Sequence, residues 1–204
     1  MKQPHTLEEG RLRKKGCTLI AGSDEAGRGA WAGPLVAAAV ILPSRHSIHG
    51  IKDSKQLSPS TREKLYVEII SQAKAWAVYS VLPRTIDRHG ISYANKKAIS
   101  QAIRKLAITP HALLIDAFAI PSSVPMRAII KGDEKVQSIA AASIIAKVTR
   151  DRLMVSYHRR FPLYGFHIHK GYGTHSHQLS LQKHGACPLH RRSFKPIKNM
   201  VEKV

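Results

Sequence analysis

Residues 18–29 read TLIAGSDEAGRG: a short apolar run, two adjacent acids and a glycine-rich turn. The run from Thr18 to Ser23 reads as a strand that ends at Asp24-Glu25. Side chains alternate along a strand, so neighbouring acids face opposite ways unless the strand breaks there. Gly27 and Gly29 are placed to supply that break. Further along, Leu35 to Leu42 (LVAAAVIL) reads as a second strand and Trp76 to Leu82 (WAVYSVL) as a third, stopped by Pro83. Ala112 to Ile115 is a short apolar run ending at Asp116, and Met126 to Ile130 is another, ending before Lys131-Gly132-Asp133. Cys17 reads as a strand residue.

Helices alternate with these strands. Ser58-Pro59 followed by Glu63 is an N-terminal helix signal, with Leu65, Ile69, Ile70 and Ala73 at helical spacing. Ser92 to Leu106 places Ala94, Ala98, Ile99, Ala102 and Leu106 on one face. A long helix after residue 133 carries Ile139, Ala142, Ala146, Leu153 and Tyr157 at spacings of three, four and seven. Strands first and then a mixture of helices and strands predict an α/β or α+β sheet with helices on both faces. Residues 1–16 form a basic N-terminal extension, 17–161 the main domain, and 162–204 a basic helical and loop region. That last region has too little apolar sequence to fold alone.

The chain has 204 residues, 43% apolar and 23% charged, a globular composition. Lys and Arg number 33 against 13 acids, for a net charge of +20. Such a surface seeks a polyanion, either nucleic acid or an acidic membrane face. Between Lys147 and Val204 there are 12 basic residues and two acids, with seven of the 12 histidines. Two cysteines, Cys17 and Cys187, make structural disulfides unexpected, and residues 1–16 lack the apolar core of a secretion signal. No apolar stretch is long enough to span a bilayer. The expectation is a cytoplasmic protein with no membrane partner; a monomer is the simpler oligomeric expectation.

In so basic a protein the informative residues are acids. Asp24, Glu25, Asp116 and Asp133 each follow an apolar run closely, so strand ends could gather them at one edge of the sheet. A single Asp at a strand end is as readily a capping or turn residue, and Asp116 alone reads either way. Together the four form a cluster that is costly unless cations neutralise it. Oxygen-only donors suit Mg²⁺ or Mn²⁺. Gly22 to Gly27 has Walker spacing, but Arg28-Gly29 follows where Lys-Ser/Thr belongs, so the nucleotide-loop reading fails. The dinucleotide fingerprint fails too, its third glycine coming one place late at Gly33. A flexible turn remains, whose amides can approach a sugar-phosphate chain. His167, His169, His175 and His177 imitate a zinc set, but on polar, glycine-flanked loops they read as surface or nucleic-acid contacts. No G-x-S-x-G elbow supports a nucleophilic hydrolase.

At these residues the sequence resembles bacterial ribonuclease HII, the type 2 ribonuclease H family. The resemblance runs through Ser23-Asp24-Glu25-Ala26-Gly27-Arg28-Gly29, Ala32-Gly33-Pro34 and Asp53-Ser54-Lys55-Gln56-Leu57-Ser58. It continues in Leu114-Ile115-Asp116, Lys131-Gly132-Asp133 and the long block from Ser138 to Asp151. His169-Lys170-Gly171-Tyr172-Gly173-Thr174 and His190-Arg191-Arg192-Ser193-Phe194 complete it. It implies an α/β, ribonuclease H-like fold: a mixed central sheet flanked by helices, with a small C-terminal helical region. It also implies an endonuclease that cleaves RNA in RNA/DNA hybrids and incises 5′ of single ribonucleotides in duplex DNA. Asp24, Glu25, Asp116 and Asp133 would be the catalytic residues and hold two Mg²⁺ or Mn²⁺ ions, leaving 5′-phosphate and 3′-hydroxyl ends. The Gly27-Arg28-Gly29 backbone resembles the segment that reads the 2′-hydroxyl, and Tyr172 the tyrosine that stacks on the neighbouring deoxyribose.

Two departures stand out. Ala30-Trp31 replaces the family's usual proline and small or aliphatic residue, and Gly185-Ala186-Cys187-Pro188 departs from its glycine-proline pattern. The ribonuclease HIII branch fits less well, since it carries an extra N-terminal domain and lacks the Gly-Arg-Gly form. A non-catalytic RNA- or ribosome-binding protein would explain the charge but not the four acids. Another nuclease or recombinase of the same fold would use the same metals on all-DNA substrates. The sequence leaves open whether a sliding clamp binds at Lys195 to Val204, and whether that segment is a helix.

Overall fold

The computed structural model describes residues 4–201. Five strands form one sheet: β1 (Ile20–Ala26), β2 (Leu35–Ile41), β3 (Ala75–Val81), β4 (Ala112–Asp116) and β5 (Met126–Ile129), in the order β3-β2-β1-β4-β5. β1, β2 and β3 pair antiparallel, whereas β4 and β5 run parallel to β1. The sheet is therefore mixed. Every residue of β2 is buried, as expected of a central strand covered on both faces.

The helices are α1 (Leu7–Lys14), α2 (Pro59–Gln72), α3 (Pro83–His89), α4 (Ile91–Arg104), α5 (Gly132–Lys135), α6 (Gln137–Arg160), α7 (Phe166–His169), α8 (His175–His184) and α9 (Lys195–Val201). The pleat sorts the core into two layers. Ala21, Ala37, Ala39 and Leu113 meet Ile86 of α3 and Ala94, Ala98 and Ile99 of α4 on one face. Ala26, Ala38 and Val40 meet Leu65 and Ile69 of α2 and Ala141, Ile144 and Ile145 of α6 on the other. α2 starts where its signal predicts, with the Ser58 hydroxyl accepting from Thr61 N–H.

α6 organises the molecule. Its first half is buried all round, and it crosses β1 so closely that a Cβ on Gly22 would lie 2.2 Å from the Ser138 carbonyl carbon. Its 24 residues span about 36 Å. It thus links the acidic edge of the sheet to the C-terminal region, where Met154 packs with Ala32, Phe166, Leu181 and Ile197. No side chain next to α6 in sequence caps it. The carboxylate of Glu9, buried at 3% exposure, accepts from Ser138 N–H at 3.0 Å and Ser138 Oγ at 2.8 Å instead. A negative charge belongs at a helix N-terminus, so the basic N-terminal extension is docked by its acids. Glu8 adds ion pairs to Arg11 and Arg127.

Two local expectations are corrected. Cys17 lies in the loop before β1 and not in a strand. The first strand begins two residues later than its apolar run and continues through Ala26, so Asp24 and Glu25 sit inside it. Lys195 to Val201 is helical, with Ile197 fully buried; residues 202–204 lie outside the described part.

Candidate active site

β1 is the strand at which the sheet order reverses: its chain continues to β2 on one side, while β4 arrives parallel on the other. The carboxyl ends of parallel strands at such a reversal form a crevice. Ser23 is in register with Ile115, so Asp24 lies beside Asp116 at the end of β4. No break separates Asp24 from Glu25. Their register with Ala38 and Ala37 directs Asp24 toward the α6 face and Glu25 toward the α4 face. They straddle the sheet end. Asp133 is delivered in the first turn of α5, four residues past the end of β5. Gly132 N–H donates to Asp116 Oδ1 at 2.6 Å, tying that turn to β4. A Cβ on Gly132 would stand 2.6 Å from Ile139 Cδ1, so a larger residue would have to displace that side chain.

Burial first, and neighbouring negative charge second, raises the proton affinity of all four acids. Burial lifts Asp24 well above the usual carboxylate range, and the charges of Glu25, Asp116 and Asp133 add to it. Glu25 rises to about 7, through burial first and Asp116 second. Asp116 and Asp133 are raised by burial, with Asp53 contributing to both. Burial opposes the Lys55 ammonium, yet Asp133, Asp53 and Asp24 outweigh it and raise its pKa. Lys55 Nζ stands 3.5 Å from Asp133 Oδ2.

Among the described residues, no three acid, histidine or cysteine side chains stand close enough together to grip one ion as they are now turned. Asp24 Oδ1 accepts from Glu25 N–H at 2.7 Å, and Asp116 Oδ1 is taken by Gly132. The donor chemistry still fits a hard divalent cation: four carboxylates on one crevice, held above their usual pKa by burial and by neighbouring acids, with Glu25 Oε2 buried and unpartnered. Side-chain rotation would be needed to close the shell.

One cleft of about 560 Å³ joins these acids to the glycine turn. It is lined by Asp24, Glu25, Asp116, Gly27, Arg28, Gly29, Ser54, Lys55, Arg62, Lys147 and Tyr172. The glycines differ in what they do. Gly27 has φ +90°, and a Cβ there would lie 1.9 Å from Arg150 Nε. Gly29 faces open space. Two fully buried arginines brace the turn from behind. Arg150 donates to the carbonyls of Pro34 and Ala32, and Arg191 to those of Gly33 and Arg28. Burial lowers the pKa of both, Arg191 to about 9. The Arg28 side chain is exposed and crosses the Phe118 ring at 4.6 Å. The half-buried Tyr172 ring has Arg150 at 5.1 Å and Lys147 at 5.4 Å. All eight residues singled out from the sequence thus fall on or beside one cleft.

Sequence reasoning missed several neighbours. Lys55 and Arg62, which lie outside the basic stretch counted from Lys147 onward, join Lys147 in supplying positive charge inside the cleft. Asn95 of α4 is fully buried beside Glu25, near enough to lower its pKa. Neither amide atom has a partner at hydrogen-bonding geometry, a contact not yet closed. A lone Asn in a helix carries no signal. The histidine expectation is corrected in part: His169 and His177 are buried inside the C-terminal region, while His167 stacks on His158. The two departures meet in space: Trp31, Ala186 and Cys187 belong to one apolar cluster.

A model of the ribonuclease HII family matches residues 21–197. A Bacillus cereus ribonuclease HII is 52% identical over 195 residues, covering 96% of this chain and 76% of its own length. The ribonuclease H2 of Pyrococcus horikoshii superposes with a TM-score of 0.77 at 29% identity, over 91% of this chain and 98% of that one. The Archaeoglobus fulgidus ribonuclease HII, solved in complex with PCNA, gives 0.74 at 28% identity, over 89% and 96%. Bst-RNase HIII with Mn²⁺ shares the fold, with a TM-score of 0.70 at 23% identity over 98% and 74%. With the family model spanning both the acidic crevice and the C-terminal region, the chain belongs to the ribonuclease HII family and is a ribonuclease H endonuclease.

Proposed function

We propose that this enzyme hydrolyses the RNA strand of RNA/DNA hybrids and also incises duplex DNA on the 5′ side of a single embedded ribonucleotide. The observation that carries this reading is the cleft that joins three of the four carboxylates to Gly27–Gly29 and Tyr172, with Lys55, Arg62 and Lys147 on its walls. Asp24, Glu25, Asp116 and Asp133 would hold two divalent ions, Mg²⁺ or Mn²⁺. Bound there, such ions lower the pKa of a water for in-line attack and stabilise the departing 3′-oxygen, giving 5′-phosphate and 3′-hydroxyl ends.

The chain's own residues hold and read the substrate. Lys55, Arg62 and Lys147 neutralise phosphates entering the cleft, and the basic C-terminal third extends that surface. The open side of Gly29 lets backbone approach a sugar closely, where the 2′-hydroxyl separates RNA from DNA. Tyr172 offers a ring face to the next deoxyribose, held against Arg150 and Lys147. The raised carboxylates favour protons until cations arrive, so cleavage at limiting metal should increase as pH rises through about 7.

A substrate panel tests this reading: a labelled duplex with one internal ribonucleotide, an RNA/DNA hybrid and an all-DNA duplex, each with Mg²⁺, Mn²⁺ or EDTA. The expected result is metal-dependent cutting of the first two and none of the third. Cleavage of the hybrid alone removes the reading roles of Gly27–Gly29 and Tyr172. Cutting of all-DNA duplex points to another nuclease chemistry on the same fold. A clamp interaction like that of the Archaeoglobus relative remains a proposal for the C-terminal end, tested by adding a sliding clamp to the same assay.

A further inference from the structure

Behind the cleft lies a group of titratable side chains that the chemistry does not use: His169, His177 and His190, all buried. Each of their ring nitrogens has a hydrogen-bond partner, and the partners fix the tautomers. His177 Nδ1 lies 2.9 Å from the Tyr172 carbonyl oxygen, which can only accept, so His177 carries its proton on Nδ1. His190 Nδ1 has two backbone neighbours, the Cys187 N–H at 2.9 Å and the Cys187 carbonyl at 3.3 Å; the shorter contact, in which Cys187 N–H donates, places the His190 proton on Nε2. The two Nε2 atoms stand 3.0 Å apart, and the one proton between them is donated by His190. His169 accepts from Gly171 N–H at Nδ1 and donates from Nε2 to Tyr164 O, with its ring stacked 4.3 Å from that of His177.

This chain of imidazoles joins two parts of the reading surface. At one end is Tyr172, whose carbonyl also accepts from Thr174 N–H. At the other is the Cys187–Arg191 turn, where Arg191 holds the Arg28 and Gly33 carbonyls. The glycine turn closes the circuit, because Trp31 N–H and Ala32 N–H both donate to Gly171 O. We propose that His177 and His190 are positioning residues that lock Tyr172 to the Gly27–Gly29 turn through a single shared proton, and so set discrimination for a lone ribonucleotide.

The inference rests on the reading of Tyr172 given above. Both imidazoles must be neutral for the shared proton to work. Burial lowers both to about 4; the charge of His169 pushes each the same way, and that of His177 adds to it for His190. A second proton would place two N–H groups face to face at 3.0 Å.

Two substitutions separate positioning from mere packing. His177→Asn keeps an amide donor where Nδ1 reaches Tyr172 O; His177→Gln keeps a group near Nε2 and loses that donor. Single-turnover cleavage is measured on the one-ribonucleotide duplex and on the hybrid, with Tyr172→Ala alongside. Each variant breaks the lock at one end, since Asn has no acceptor for the His190 proton and Gln has no donor for Tyr172 O; expected for both is a roughly 10-fold loss on the ribonucleotide duplex relative to the hybrid, the scale of one hydrogen bond to a positioned group. Equal loss on both substrates, or an unchanged substrate ratio in His177→Asn, overturns the inference. If Tyr172→Ala leaves the substrate ratio unchanged, the Tyr172 reading falls and the inference with it. If that ratio changes while His177→Gln leaves it alone, only the inference falls. Should the variants not fold, ¹⁵N NMR of the wild-type rings decides. Protons on His177 Nδ1 and His190 Nε2, with no titration between pH 5 and 8, are expected; reversed tautomers or a titration near pH 6.5 overturn it.

Discussion

The acidic crevice and the histidine cluster are two buried polar regions that have met burial in opposite ways. In the crevice, Glu25 Oε2 and both amide atoms of Asn95 are buried without partners, and the carboxylates are held above their ordinary pKa. In the cluster, every ring nitrogen of His169, His177 and His190 is matched, and the rings are held below theirs. Unmatched buried polarity costs stability, whereas a satisfied network rigidifies its surroundings. The difference teaches which part waits for something. Under the proposed function, the acids would be completed by cations and a phosphate, whereas the surface assigned to reading the substrate is already built.

The largest expected effect comes from the waiting side. Asp116→Asn should slow cleavage at saturating Mg²⁺ by about 1,000-fold or more, the scale of losing one electrostatic group at a reacting centre. Hybrid binding and thermal stability should hold or improve, because repulsion in the crevice is relieved. Full activity in single-turnover assays would place the chemistry elsewhere. Tyr172→Ala should cost about 100-fold at a lone ribonucleotide while leaving the salt dependence of binding little changed, since no phosphate contact is lost. A large drop in the salt slope would make Tyr172 part of an electrostatic contact instead.

The glycines sharpen the comparison at intermediate scale. Gly27→Ala places a Cβ against Arg150 at positive φ and should destabilise by about 2 kcal/mol or more in denaturant titrations. Gly29→Ala meets nothing and should be neutral or stabilising by up to about 1 kcal/mol, yet slow cleavage by crowding the sugar. Loss of stability in both would remove the distinction between a structural and a reading glycine.

The smallest effect is in pH. Without metal, the raised Glu25 pKa gives stability that is present below the ordinary value of 4.5 and lost as pH rises toward 7. The depressed His177 and His190 values act oppositely: their contribution is present above 6.5 and lost as pH falls toward 4. In EDTA, Glu25→Gln should therefore gain melting temperature over the wild type between pH 5 and 7, by roughly 2–4 °C. Identical pH profiles would mean that the crevice does not strain its acids.

Much of this was legible in the chain because apolar runs stop at acids. The strand of Leu113–Ile115 and the gathering of the four carboxylates follow from that pattern, the strand of Ala37–Ala39 from a continuous apolar run, and the helix through Ile139 and Ala146 from apolar spacings of three, four and seven. What escaped was set by contacts distant in sequence. Glu9 caps a helix 129 residues away, which no local signal announces. His169 and His177 lie on polar, glycine-flanked segments and become buried only when Phe166, Trp31 and His190 close around them. The expected strand break at Gly27 proved unnecessary, because a sheet end can use both of its faces.

The most direct test maps the cut in a DNA duplex carrying one internal ribonucleotide, at single-nucleotide resolution and with the end groups identified. The account predicts one incision on the 5′ side of the ribonucleotide, leaving a 3′-hydroxyl and a 5′-phosphate, abolished by EDTA and restored by Mg²⁺ or Mn²⁺. Scattered cuts, or cutting that survives EDTA, would contradict a crevice of cation-completed acids coupled to a prebuilt reading surface.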